Sequence, residues 1–359
     1  MKKKREINYA AAVREAIDQC LERDASVFLI GEGVPDPRGI FGTTLGLQKK
    51  YGNNRVMDMP VSENAVTGIC IGAAIRGMRP IMTHQRVDFS LLAFDQIVNN
   101  AAKWHYMFGG KTSVPLVVRM LVGRGWGQGA QHSQSLQALY GHIPGLKVVM
   151  PVFPYDVKGM LIAAVYDGNP VIFIEHRWLY AVKGEVPEKF YKENLSKAKI
   201  VKKGKDITIV ATSYMTLESL KAAEILNQEG IDIELIDARS IKPIDWETII
   251  NSVKKTGRLL VADTGYQTLG FASEIIAKVA QKAFFSLKIP PRQIALPDIP
   301  TPTSWCAAEK YYFTYIDILK SLLESLNLPK KRIKDIIDKN KPDGKVRSDV
   351  PDLSFTGPF

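Results

Sequence analysis

Short runs of consecutive apolar residues recur along the chain, separated by longer stretches with helical spacing of apolar positions. Residues 28–30, 55–59, 80–82, 114–119, 147–150 and 170–174 read as buried strands. Residues 10–23, 65–76, 94–104 and 155–166, lying between them, read as amphipathic helices. This alternation predicts an α/β fold with a mainly parallel sheet and right-handed crossovers. The pattern breaks over residues 181–205, which are rich in Lys and Glu and contain Pro187. It then resumes. Strands are expected at 207–210, 233–236, 258–262 and 293–296, with helices at 215–229, 245–255, 271–287 and 312–326. The fold class is therefore α/β with two domains, the second smaller. The final stretch, with Pro342, Gly344, Pro351 and Pro358, has no apolar period and reads as irregular.

A length of 359 residues accommodates two cores, and 24% charged residues is ordinary for a globular chain. No apolar run is long enough for a membrane span. Of the net charge of +11, residues 2–6 carry +3 and residues 330–359 another +3. Charge concentrated at the ends reads as solvated tails rather than a nucleic-acid-binding face. Cys20, Cys70 and Cys306 are widely separated, without metal-like spacing. Together with the lack of a signal peptide, they point to a reducing cytoplasm.

Three segments carry candidate chemistry. In Asp58-Met-Pro-Val-Ser-Glu63, Ser62 suits a helix N-cap and Glu63 the first turn. The structural reading is a carboxylate favoured by the helix dipole by roughly 0.3–1 kcal/mol. Gly68, Gly72, Ala73 and Ala74 along that helix would let a backbone or a flat ligand approach closely. The glycine-rich 123–129 loop, followed by His132, invites a phosphate reading but lacks the Lys-Ser/Thr of a nucleotide loop. His132 itself suits either a structural hydrogen bond or catalysis. Asp167-Gly-Asn-Pro170 is ordinary turn chemistry. Residue types alone stop at a two-domain enzyme-like α/β protein.

Taken together in order, the motifs say more. Gly31-Glu32, Asp58 to Glu63, Asp88-Phe-Ser-Leu-Leu-Ala-Phe-Asp-Gln-Ile97, Gln131-His-Ser-Gln134, Pro144 to Pro151, Asp263-Thr-Gly265 and Pro297 to Pro302 follow one another. This set resembles the β subunit of thiamine diphosphate-dependent 2-oxo acid dehydrogenases from about Ile7 to Leu326. The resemblance implies a transketolase-like pyrimidine-binding domain (1–190), a linker (191–205), a transketolase C-terminal domain (206–328) and a basic, irregular tail (329–359). It implies thiamine diphosphate shared with an α subunit in an α2β2 heterotetramer, with the diphosphate and Mg2+ ligands on the α chain. The sequence contains no Gly-Asp-Gly, in keeping with half of a shared site.

By the same resemblance, Glu63 is the cofactor-activating glutamate, bonding the pyrimidine N1′, and Phe89 packs on the pyrimidine ring. His132 is the active-site histidine. Leu116, Ala164, Val165, Asp167 and Asn169 match a potassium site built of carbonyl oxygens, with a solvated turn as the rival reading. The implied activity is decarboxylation of pyruvate or a related 2-oxo acid, with acyl transfer to a lipoyl acyltransferase. Two other readings stand beside it. One is a two-chain transketolase-like enzyme passing a two-carbon unit to an aldehyde or keto-sugar. The other is a non-catalytic partner of the α chain, against which the presence of Glu63 and His132 argues. The sequence departs from the family at Thr83-His-Gln-Arg-Val87, at Arg124 and Trp126, and at His176-Arg-Trp178. Facing the site, these side chains would bind an anionic or sugar-like substrate; facing outward, they would contact the α subunit.

Overall fold

The computed structural model describes residues 5–125 and 127–342. The first part of the chain supplies β1 (Glu6–Asn8), β2 (Val27–Gly31), β3 (Val56–Met57), β4 (Arg79–His84) and β5 (Val117–Val122). It continues with β6 (Lys147–Val149), β7 (Val171–His176) and β8 (Lys183–Glu185). The second part supplies β9 (Lys199–Lys202), β10 (Ile207–Ala211), β11 (Ile233–Asp237), β12 (Ser240–Lys242), β13 (Leu259–Tyr266) and β14 (Arg292–Leu296).

The larger sheet runs β12-β6-β7-β5-β4-β2-β3 and is parallel except for β12. Every residue of β5 and β7 is buried, as expected of central parallel strands covered on both faces. Neighbouring residues serve opposite faces. Ile81 and Val117 join Ile17, Leu161 and Phe173 in one core, whereas Met82 and Val118 join Val66, Cys70 and Ile97 in the other. That second core continues into the other domain through Val210, Ile236, Val261 and Ile275. The smaller sheet runs β14-β13-β10-β11-β9, with only β9 antiparallel. Its far face packs on Ile318, Leu319, Leu322 and Leu323.

Several expectations change. The stretch expected as a linker at 191–205 contains β9, an edge strand whose alternation is too weakly apolar to read. Strand β12 lies beyond residue 206 yet pairs with β6 of the first sheet, so the second part of the chain completes the first domain's edge. The helix expected at 94–104 is a π-helix, Gln96–Ala101, followed by an α-helix, Ala102–Met107. The helix expected at 312–326 runs from Tyr315 to Ser325, because Thr314 and Asp317 form a capping box that sets its start, and a separate helix, Trp305–Tyr311, precedes it. The tail expected to be irregular opens with a helix, Lys330–Asn340, anchored by Ile336 with Ile333 and Ile337. That spacing was readable in the sequence but hidden among charges. Residues 343–359, with Gly344, Pro351 and Pro358, lie outside the described residues, as does Trp126.

Candidate active site

The candidate side chains follow the C-terminal ends of β2, β3, β4 and β5, the edge of an α/β sheet outside which the ligand crevice generally lies. Each candidate side chain arrives there from a different strand. After β2 come Glu32 and Gly33, and the Gly33 N–H donates to Asp58 Oδ1 at 2.9 Å, tying the β2 and β3 exits together. At Gly31 a Cβ would lie 2.5 Å from the Thr83 carbonyl, so only glycine permits β2 to leave the sheet so close to β4.

The helix Glu63–Ile75 begins at Ser62, which holds the N-cap position without a side-chain capping bond. Glu63 is 5% exposed, and among the described residues its carboxyl has no hydrogen-bond or ion-pair partner. Burial, with the carboxylates of Glu63, Asp58 and Asp36 nearby, raises the pKa of Glu32 above its ordinary value. The crevice is thus electronegative on this side.

From β4 the chain turns through Arg86 and Asp88 to Phe89. Asp88 Oδ1 accepts from the Gln134 side-chain amide at 2.8 Å. That bond draws the 123–136 loop, leaving β5, across Phe89. The rings of Phe89 and His132 meet edge to face with centroids 5.3 Å apart. His132 is exposed and Phe89 half-buried.

Behind His132 the second domain closes the loop. Gln137 Nε2 donates to Asp263 Oδ1 at 2.7 Å, Thr212 Oγ1 donates to the same oxygen at 2.7 Å, and Ser135 Oγ donates to Thr264 Oγ1 at 3.1 Å. Burial raises the Asp263 pKa above its ordinary value. Asp88, Gln134 and Asp263 were visible only as letters inside motifs; their pairing across the chain had no local signal.

His84 ends β4 and is 2% exposed, and burial lowers its pKa to about 4. His176, at the end of β7, is lowered well below its ordinary value by burial and then by Arg124 and Arg177. The unfolded chain takes up these protons near pH 6.5, whereas the folded chain resists doing so. Stability is therefore retained above pH 6.5 and lost as pH falls toward 4, by about 3 kcal/mol for His84 alone. Urea unfolding at pH 7 and 4.5 is expected to show a smaller pH-dependent loss in His84→Gln than in the parent chain. Equal losses would remove His84 from the acid response.

The residues matched to an alkali-metal site lie at the other end of the sheet, before β5 and β7. They are gathered around one turn. The Asp167 N–H donates to the Ala164 carbonyl at 3.1 Å, and the Val171 N–H to the Leu116 carbonyl at 2.9 Å. The Asn169 N–H donates to Asp167 Oδ1 at 2.9 Å. Two protein cations already occupy this turn. Arg79 Nη1 donates to the Val165 carbonyl at 2.9 Å, and Lys147 pairs with the Asp167 carboxylate.

Residues 5–183 match the transketolase pyrimidine-binding domain and residues 196–316 the transketolase C-terminal domain. The chain is 46% identical over 310 residues to the β subunit of acetoin:2,6-dichlorophenolindophenol oxidoreductase from Cupriavidus necator, covering 84% of this chain and 91% of that one. It is 41% identical over 321 residues to the β subunit of the pyruvate dehydrogenase E1 component of Acholeplasma laidlawii, covering 89% and 98%. The chain belongs to the 2-oxo acid dehydrogenase β subunits. A mitochondrial relative, the E1 β subunit of Bos taurus, is 39% identical, with 90% of this chain and 91% of that one covered. A split-gene transketolase solved as an inactive β4 tetramer shares the fold, with a TM-score of 0.71 at 23% identity, covering 90% of this chain and 99% of that one.

In this β subunit the structure brings the Phe89 and His132 rings together and buries Glu63 at the start of its helix, whose Asn64 side chain donates to the Leu92 carbonyl at 3.3 Å, just past Phe89. It also turns Arg86, Arg124 and Arg177 inward; each is at most 8% exposed. Among the described residues no helix is long and apolar enough to cross a membrane.

Proposed function

We propose that this β subunit joins an α subunit in an α2β2 heterotetramer that binds thiamine diphosphate between the two chains. The complex decarboxylates pyruvate or a related 2-oxo acid and passes the acyl group to the lipoyl group of an acyltransferase. The observations that support this reading are Glu63, only 5% exposed in the first turn of its helix, and the edge-to-face Phe89–His132 pair after the neighbouring strands of the same sheet.

A ring nitrogen suits that carboxyl. A shielded acid shares a proton with such a nitrogen instead of losing it to water. Phe89 offers a flat apolar face for an aromatic ring, fixing its orientation. Thiamine diphosphate, when bound, supplies the carbanion-stabilising chemistry. Glu63 holds the proton at the pyrimidine nitrogen. His132, held by the Asp88–Gln134 bond, donates a hydrogen bond to the substrate carboxylate or moves a proton during acyl transfer. The second domain backs the His132 loop and keeps water from behind it. The Mg2+ and diphosphate ligands belong to the α chain in this reading. The turn at Asp167 already carries Arg79 and Lys147, so no step is routed through a potassium ion there.

Co-expression with the adjacent gene product, followed by carbon dioxide release from a panel of 2-oxo acids, tests the reaction. The isolated β subunit is expected to bind thiamine diphosphate weakly by calorimetry. Tight binding without a partner would contradict the shared site. One relative is named for acetoin, which has no carboxylate to release as carbon dioxide, so its cleavage is followed beside the panel by acetaldehyde formation.

A further inference from the structure

We infer that Thr303 and Asp263 of the second domain are positioning residues for His132, fixing the loop that carries it at the tip and at the base. The inference rests on the proposed active site, in which His132 acts, and adds the residues that place it.

The His132 loop leaves a strand of the first domain, yet its backbone is built against the second. Gly127 and Gly129 both take positive φ, at 68° and 66°. Both lie against Thr303. A Cβ at Gly127 would stand 3.5 Å from the Thr303 carbonyl, an ordinary contact. A Cβ at Gly129 would stand 2.5 Å from Thr303 Oγ1, closer than real side chains come. Only glycine lets the loop rest there. The Gly129 carbonyl in turn accepts from the His132 N–H at 3.5 Å. Thr303 thus bears on His132 through the backbone of one residue.

The base of the loop is held by the same domain. Gln137 Nε2 and Thr212 Oγ1 converge on Asp263 Oδ1, each at 2.7 Å, so one oxygen joins the two domains. Ser135 Oγ lies within hydrogen-bond distance of Gln137 Oε1, at 2.8 Å, and of Thr264 Oγ1, at 3.1 Å. Gly265 permits this approach, because a Cβ there would lie 2.7 Å from Gln137 Nε2. Asp263 and Gln137 are both buried, where hydrogen bonds are expensive to leave unmade. Ser133 and Ser135, between the two anchors in sequence, line a cavity of about 30 Å³ with Asp263, Thr264 and Tyr312 among others. It has room for about two waters, so the second domain follows the loop closely along this stretch.

From the other side, Asp88 accepts from Gln134 Nε2 at 2.8 Å, and Arg86 Nη2 donates to Gln128 Oε1 at 3.3 Å. Those bonds reach the loop through long amide side chains. Thr303 meets its backbone, which is why the second domain sets where His132 stands.

The test at the tip is a double-substitution cycle in the assembled α2β2 complex. Gly129→Ala puts a methyl 2.5 Å from Thr303 Oγ1, where ordinary contact begins at 3.4 Å. A shift of about 1 Å costs about 100-fold in rate, so kcat is expected to fall by about 10- to 100-fold. The thiamine diphosphate concentration for half-maximal activity stays in place, because Glu63 and Phe89 are untouched. Thr303→Ala removes the obstructing hydroxyl, and the double variant is expected to recover most of the lost kcat. Backbone strain at Gly129 alone would give no such recovery. At the base, Asp263→Ala is expected to lower kcat by a similar factor. Asp263→Asn, which keeps the accepting oxygen, restores most of it.

Amide hydrogen exchange of the full-length chain gives a readout independent of turnover. Residues 127–136 are expected to exchange faster in Thr303→Ala and Asp263→Ala, with β2 unchanged as the internal control. Thr303 is exposed, so its replacement leaves the core intact. Faster exchange confined to the loop upholds the anchors even in a complex that decarboxylates no 2-oxo acid. Parent-like exchange in both variants, a double variant no faster in turnover than Gly129→Ala, or a loss confined to thiamine diphosphate affinity would overturn the inference.

Discussion

Replacing Glu63 by Gln in the assembled complex is expected to abolish decarboxylation, with a loss of about 10²- to 10⁴-fold in kcat, while the subunits still assemble. The substitution keeps the shape and removes the exchangeable proton. Glu63 sits in the first turn of its helix, where losing a charge near the dipole costs only roughly 0.3–1 kcal/mol. Its carboxylate also raises the Glu32 pKa, so that its removal eases a repulsion. The fold should therefore tolerate the change. Carbon dioxide release and sedimentation of the same preparation separate the two effects. Near-normal turnover would take Glu63 out of the mechanism.

The second large effect is structural. Arg119 on β5 and Glu175 on β7 are both fully buried and meet through two parallel bonds, Nε to Oε1 at 2.6 Å and Nη2 to Oε2 at 2.9 Å. Arg119 also donates to Thr43 Oγ1 at 3.1 Å, and Tyr180 donates to Glu175 Oε2 at 3.0 Å. Two charges in this interior are tolerable only as a pair. Arg119→Met leaves an unpaired buried carboxylate and is expected to destabilise by about 3–5 kcal/mol. Replacing both, Arg119→Met with Glu175→Leu, should recover much of that loss, because no uncompensated charge remains. Thermal unfolding of the two singles and the double checks this. A single variant that melts at the parent temperature would show that solvent reaches the pair.

How much of this was legible depends on how local the cause is. Leu116 to Val118 and Val171 to Ile174 announce buried strands because an all-apolar run has few other places to go. Glu63, Phe89 and His132 were singled out by the order of their motifs; the structure sets the rings of Phe89 and His132 edge to face and buries Glu63 at the start of its helix. The helix Lys330–Asn340 was missed because three isoleucines among many charges make a faint stripe that matters only once a surface receives it. Strand β12 was missed because Ser240–Lys242 has no apolar run of its own; it is a strand only because the edge of β6 is there to bond it.

By itself, the sequence determined the two-domain α/β pattern, the strands of both cores and the family, since apolar periodicity and ordered motifs are properties of neighbouring residues. Tertiary structure alone decided which side chains share an environment. It buried Arg86, Arg124 and Arg177, set Arg177 against the Arg124 carbonyl, hung the His132 loop on Asp88, and set Asp263 behind it. Charge crowding and desolvation depend on distance through space. Residues separated by dozens of positions along the chain acquire them only when the sheet brings its strand ends together.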